Sequence, residues 1–285
     1  MRVSGVLWKG AEAQLERVDG VTTSLAPGTS LSFALGPDRR CIGIWRAGRR
    51  LACTTATELP PTSRSPQCPD CQAMERSNSI AADTRLDDPR SFSVYLAHHG
   101  SVVKVGITAT ERGHARLLEQ GALSSTFISS GSLLGARRIE NLLMTTLDLP
   151  DRVSTTRKRA ARSRPVPSAD RTAALKDLVA RAADLSWPEG QTRCDAAIQD
   201  HTQTYGLPTT GLHPDAALKS PSPGSTLTGE VACTIAADTY LRTSAGLVLV
   251  DTHLLAGWSL SPADSQLNVP LEPVAPLEIE QDALF

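Results

Sequence analysis

Two β-rich runs and the short turn between them constrain this chain more than any other stretch. Val94-Tyr95-Leu96-Ala97 leads into the polar turn His98-His99-Gly100-Ser101, and then into Val102-Val103-Lys104-Val105-Gly106-Ile107-Thr108. The pattern predicts an antiparallel hairpin, with register set by the turn. The turn histidines are expected to face solvent. Thr108 or Thr110 can cap a following helix whose regular turns begin near His114, because Gly113 disfavours an earlier start. Gly121 stands where a C-terminal glycine belongs. Residues 126–129 read as a third strand, and Ser132 as the cap of a helix running to Leu147.

That last helix carries a chemical clue. Leu133, Leu134, Ile139, Leu142, Leu143 and Leu147 make its apolar stripe, and Glu140 shares a face with Leu133, Ala136, Leu143 and Leu147. A carboxylate beside an apolar stripe costs several kcal/mol unless a cation meets it. The partner is either an arginine, with Arg137 nearest in sequence, or a metal ion.

The second signal lies upstream. Cys41 and Cys53 precede Cys68-Pro69-Asp70-Cys71. A C-x-x-C turn lets two thiolates take adjacent corners of a zinc tetrahedron, and the upstream pair can take the other two. Such a closed four-cysteine site is structural, with no open coordination position. The alternatives are ordinary buried thiols or a redox pair, although no βαβ pattern surrounds this one. Cys194 and Cys233 read as buried thiols.

Around these signals the chain divides into five stretches. Residues 1–90 are β-rich, with strands near 3–8, 14–18, 30–35 and 41–45, a loop at 54–66 between the cysteine pairs, and a short helix near 73–80. Residues 91–150 hold the hairpin module. Residues 151–225 contain a basic run, helices at 168–185 and 192–205, and a Pro/Ser/Gly-rich connector. Strands return over 226–268, where they can join the N-terminal strands in one partly closed barrel. Residues 269–285 are Pro-rich and acidic, hence expected to be disordered.

Bulk properties exclude some functions. The net charge is −1, so attraction for nucleic acid must be local. Aromatics make up only 4% of 285 residues, so base-stacking platforms are scarce. No apolar run is long enough to span a bilayer and residues 1–10 lack a signal-peptide core, so a cytoplasmic protein is expected. The local charge lies at residues 152–164, where Arg157, Lys158, Arg159 and Arg162 can contact a phosphate backbone. The tail ends Gln281-Asp282-Ala283-Leu284-Phe285 and resembles the peptide that docks bacterial DNA-maintenance proteins on the replication sliding clamp. Gln281, Leu284 and Phe285 would be its anchors.

Tyr95, the segment 104–108, Arg116 and Glu140 together resemble the GIY-YIG endonuclease superfamily over about residues 92–148. Arg39-Arg40-Cys41-Ile42-Gly43, the cysteine pattern, residues 94–97, residues 104–108, Arg116 and Glu119-Gln120-Gly121-Ala122 also resemble the bacterial domain-of-unknown-function family 2797. That second resemblance covers most of the chain. The superfamily resemblance implies a three-stranded antiparallel sheet flanked by helices. It implies that Tyr95 assists deprotonation of water, that Arg116 stabilises phosphate charge, and that Glu140 holds one Mg or Mn ion. Lys104 stands where a second tyrosine is expected and can instead meet a phosphate, and Arg116 lies two residues further from Gly106 than in familiar members. The expectation is an α+β protein with a GIY-YIG-like sheet, β-rich ends and a zinc knuckle. Its expected function is a metal-dependent nucleic-acid phosphodiesterase or, alternatively, a non-catalytic nucleic-acid-binding or adaptor protein that kept the fold.

Overall fold

A computed structural model describes residues 2–46, 49–63, 65–77, 88–264 and 266–274. The proposed clamp peptide lies outside the described residues. Turns at Gly10 and Gly20 fold the first strands, β1 (Val3–Lys9), β2 (Glu12–Arg17) and β3 (Thr22–Ser24), into an antiparallel sheet. Next come β4 (Ser30–Arg39), the hairpin of β5 (Ile44–Arg46) and β6 (Arg49–Leu51), and α1 (Pro69–Ser77). In β4, buried Leu31, Phe33 and Leu35 alternate with more exposed neighbours, the signature of a strand with one face in a core.

The central module contains β7 (Phe92–His98), β8 (Val103–Ala109), α2 (Gly113–Gln120), β9 (Ser124–Gly131) and α3 (Leu133–Leu147). Helices α4 (Thr155–Ser163) and α5 (Ser168–Ala183) follow, then β10 (Gln191–Arg193), β11 (Gln199–Asp200) and α6 (Thr202–Tyr205). The last strands are β12 (Ala216–Leu218), β13 (Thr226–Ile235), β14 (Asp238–Thr243), β15 (Gly246–Asp251), β16 (Trp258–Pro262) and β17 (Leu271–Pro273).

The two ends of the chain share one sheet, ordered β16-β4-β13-β14-β15-β12-β17. The N-terminal three-stranded sheet packs with it around one core that includes Trp8, Leu15, Leu25, Phe33, Val231, Tyr240 and Trp258. The central module has a separate core. There β7 sits between β8 and β9, antiparallel to both. Its side chains alternate: Phe92, Val94 and Leu96 meet Ile139 and Leu143 of α3 and Leu175 of α5, while Tyr95 and Ala97 meet Leu117 of α2. Because both faces are covered, all seven residues of β7 are buried.

Two of the caps read from sequence hold, but neither Thr108 nor Thr110 caps α2, which follows a single 3-10 turn (Thr110–Arg112) and has no side-chain cap at Arg112. Ser132 Oγ accepts the Gly135 N–H at 3.1 Å and starts α3, while Gly121 closes α2 in the left-handed conformation. Other expectations are corrected. The central sheet has five strands, since β10 and β11 add to the free edge of β9. Residues 192–205 are therefore not one helix. Only Thr202–Tyr205 is helical, ended by Gly206. Cys194 is exposed rather than buried, whereas Cys233 is buried. The connector at 207–225 contains β12, and Leu207 and Leu212 are buried in the large core. Strand β12 in turn pairs with β17, so the stretch from 269 expected to be disordered begins as an ordered strand. The turn histidines are buried as well, because α4 lies on their turn: a Cβ built on Gly100 falls 2.2 Å from Ala161 Cβ. Among the described residues, no helix is long and apolar enough to cross a membrane.

Candidate functional site

The strongest constellation is the cysteine cluster. The Sγ atoms of Cys41, Cys53, Cys68 and Cys71 all lie within 4.8 Å of one another, and those of Cys53 and Cys68 are 3.9 Å apart. A tetrahedron with Zn–S bonds of about 2.3 Å has edges of about 3.8 Å. The backbone N–H groups of Gly43 and Cys68 both donate to Cys41 Sγ, at 3.4 and 3.2 Å. Gly43 is required in this turn. Its φ is +75°, and a Cβ there would meet the Leu51 carbonyl oxygen at 1.9 Å.

Burial pushes the Cys41 and Cys71 thiols up, while the Thr55 hydroxyl holds Cys53 down to about 5. Cys41, Cys68 and Cys71 are buried with Ile44 and Leu59, so they can ionise together there only with a compensating cation. The donor set fits a metal such as zinc. A hollow of about 290 Å³ reaches Cys41 and Cys53 and is also lined by Arg2 and Asp19.

The second constellation lies where β7, β8, α2 and α3 meet. Tyr95 pairs across the ladder with Gly106, and its ring lies over that residue: a Cβ on Gly106 would come within 2.4 Å of the Tyr95 hydroxyl. No larger residue fits beneath the ring. Tyr95 is 1% exposed, its hydroxyl accepts from Gln120 Nε2 at 2.7 Å, and burial raises its pKa. The ring also meets Phe127 edge to face, with centroids 6.4 Å apart.

Lys104 Nζ stands 5.7 Å from the Tyr95 ring centroid and donates to the Asp151 carbonyl at 3.0 Å. Burial, followed by the charge of Arg116, lowers its pKa. Burial raises Glu140, against the opposing charges of Lys104 and Arg137. Arg116 pairs with Glu119 at 3.4 Å and keeps its side chain 40% exposed. The charges of Arg116 and Glu140 both act on Tyr95. Arg116 and Glu140 thus each act on both Tyr95 and Lys104, and Lys104, not Arg116, is the leading positive charge acting on the carboxylate.

The basic run divides. Arg162 is 2% exposed and donates to Asp238 at 2.5 Å, and Arg159 donates to Asp238 and Asp251. Both belong to the junction of α4 with β14 and β15: Arg162 is closed off there, and Arg159, though 30% exposed, is already held by two carboxylates. Arg157 is exposed and hydrogen-bonds Ser101. Lys158 donates to the Gln120 carbonyl at 2.8 Å, and burial, then Lys104, pushes it down to about 8.

The model of the family described as "Protein of unknown function (DUF2797)" matches residues 28–259. The chain belongs to this family. No curated protein and no solved structure matches it. The DUF2797 match begins just before β4 and ends within β16, so it takes in both constellations and most of the seven-stranded sheet. Within it, three polar neighbours of Tyr95 or Lys104 escaped sequence reasoning as site residues: Gln120, Asp151 and His99. Gln120 falls in the Glu119-Gln120-Gly121-Ala122 segment noted from sequence, but nothing local shows that it reaches Tyr95. His99 is 1% exposed, binds the Gly121 carbonyl through Nδ1, and has no partner at Nε2.

Proposed function

We propose that the surface built by β7, β8, α2 and α3 is a GIY-YIG-like phosphodiester site. On this reading the protein is a metal-dependent nucleic-acid phosphodiesterase that carries a structural zinc centre. The observation that carries it is the meeting of Tyr95, over Gly106, with Lys104, Arg116 and Glu140. In-line attack on phosphate needs a proton acceptor, a cationic clamp and a Lewis acid. Tyr95 would assist deprotonation of water, and Arg116 and Lys104 would oppose phosphate charge. Glu140 would hold one Mg²⁺ or Mn²⁺. A single carboxylate completed by water suits Mg²⁺, which sheds its hydration reluctantly. The ion would compete with Lys104 for that carboxylate.

Two features favour a second reading, a nucleic-acid-binding protein without cleavage. Gln120 already occupies the Tyr95 hydroxyl, and Lys104 already supplies a cation near Glu140.

Incubation with single-stranded, branched and duplex substrates plus Mg²⁺ or Mn²⁺ separates the two. Cleavage is expected to fall by roughly a hundredfold or more in Tyr95→Phe and Glu140→Gln, as when general base or Lewis acid is removed. Binding without cleavage in the wild type selects the second reading. Cleavage indifferent to both substitutions removes the first. For the cysteine centre, protein purified without chelator should contain about one zinc per chain, released by a thiol-modifying reagent. A folded protein with no metal contradicts that assignment.

A further inference from the structure

The β5–β6 hairpin rises directly from the cysteine cluster and carries an unusual set of side chains. Its inner pair, Ile44 and Leu51, packs on Cys41, Cys68 and Cys71. Its next pair places Trp45 opposite Arg50, with the guanidinium 5.7 Å from the ring centroid. Trp45 is nevertheless 44% exposed, whereas Trp8 and Trp258 are buried. The third pair sets Arg46 directly opposite Arg49, both exposed. Among the described residues neither has an ion-pair partner.

Like charges facing each other across a two-strand ladder are destabilising, and an isolated hairpin has little stability to spare. An anion between the two guanidinium groups removes that repulsion. Acidic groups do approach the base of the hairpin: Glu75 accepts the Trp45 N–H at 3.2 Å, and Glu16 and Glu75 act on Arg50. Both lie toward Arg50, leaving Arg46 and Arg49 unanswered.

We propose that this hairpin docks single-stranded nucleic acid, with Trp45 stacking on a base and Arg46 and Arg49 meeting flanking phosphates. An exposed indole beside guanidinium groups suits unpaired bases, whose faces a duplex hides. An acidic peptide would satisfy the arginines but give the indole no stacking partner. The cysteine cluster is the anchor that holds so small a hairpin in shape. The partner class agrees with the phosphodiester reading of the Tyr95 surface, yet the residues differ, so the two fail separately.

The test uses the full chain and a fluorescein-labelled oligo-dT of about twenty nucleotides, ample for one strand-binding site. Binding is read by anisotropy and by tryptophan quenching. Wild type should bind with quenching, and the duplex of the same length should quench less. Trp45→Phe should bind nearly as well and lose most of the quench, and Trp45→Ala should bind about tenfold more weakly. Arg46→Ala with Arg49→Ala should reduce the slope of log affinity against log salt by about 1.4, at about 0.7 per single-strand contact. Circular dichroism and metal content verify that each variant is folded. The proposal is overturned if the wild type does not bind, if quenching survives Trp45→Phe, or if folded Trp45→Ala binds unchanged. It is also overturned if an oligo-glutamate peptide binds as tightly. Cleavage at the Tyr95 surface reads none of these outcomes.

Discussion

His98 accepts the Gly100 N–H on Nδ1 at 3.1 Å while only 5% exposed, and His201 Nε2 meets Ser125 Oγ at 2.7 Å in an equally closed setting. Burial, aided by Arg171 for His98 and by His114 for His201, pushes each down to about 4, from an ordinary value near 6.5. The unfolded chain therefore binds these protons first, and the stability they confer is complete above pH 6.5. It is lost as pH falls from there toward 4, by up to about 1.4 kcal/mol per pH unit for each histidine. His253, raised by its hydrogen bond to Asp251, works in the opposite sense. Urea unfolding between pH 7 and 4.5 should show the net loss, and His98→Asn, which keeps an acceptor without a titrating ring, should flatten the curve. A pH-independent midpoint would exclude this account. Sequence pointed the turn histidines His98 and His99 outward because a polar turn is normally solvated. What covers them is α4, more than fifty residues further along, and no local pattern announces it. The hairpin itself was legible but its register was not: a turn over 98–101 sets Tyr95 opposite Lys104, whereas β7 runs on to His98 and the ladder pairs Tyr95 with Gly106.

At the scale of elements, α3 was readable to its cap because a long amphipathic helix carries its own signal. Strands β10 and β11 were not. Cys194, Ala197, Ile198, His201 and Tyr205 mimic a helical stripe, yet these strands have only three and two residues and form by completing the hydrogen bonds of the β9 edge. Helix α4 misled in another way. Its cations looked like a nucleic-acid surface, but Arg159 and Arg162 clamp Asp238 at the start of β14 and so tie the central module to the large sheet. Replacing Asp238 by Ala leaves Arg162 without its carboxylate in a site almost closed to water, while Arg159 keeps only Asp251. The expected cost is about 3–5 kcal/mol, measurable by urea denaturation. A loss below about 1 kcal/mol would mean that the junction is held by packing alone.

Over the whole molecule, the α+β class and the sharing of one sheet by both ends were legible from where the alternating segments fall. The order of strands within that sheet was not, since pairing between remote strands leaves no local trace. Strand β4 pairs with β13 on one side and β16 on the other. A chain stopped after residue 225 therefore leaves both of its edges open while keeping its apolar face. That truncation should aggregate, seen as light scattering and a void-volume peak, whereas one stopped after residue 274 should stay monodisperse. The same pairing sets a timetable for synthesis. With β4 ending at Arg39 and β13 starting at Thr226, a ribosome adding about 5–20 residues per second separates them by roughly 10–40 seconds. Through that interval the hairpin module and the cysteine loop can close on local contacts, while β4 waits beside the exit tunnel with nothing to pair. The newborn protein matures from its middle outward, and β4, made well before either of its partners, is among the last strands to be secured.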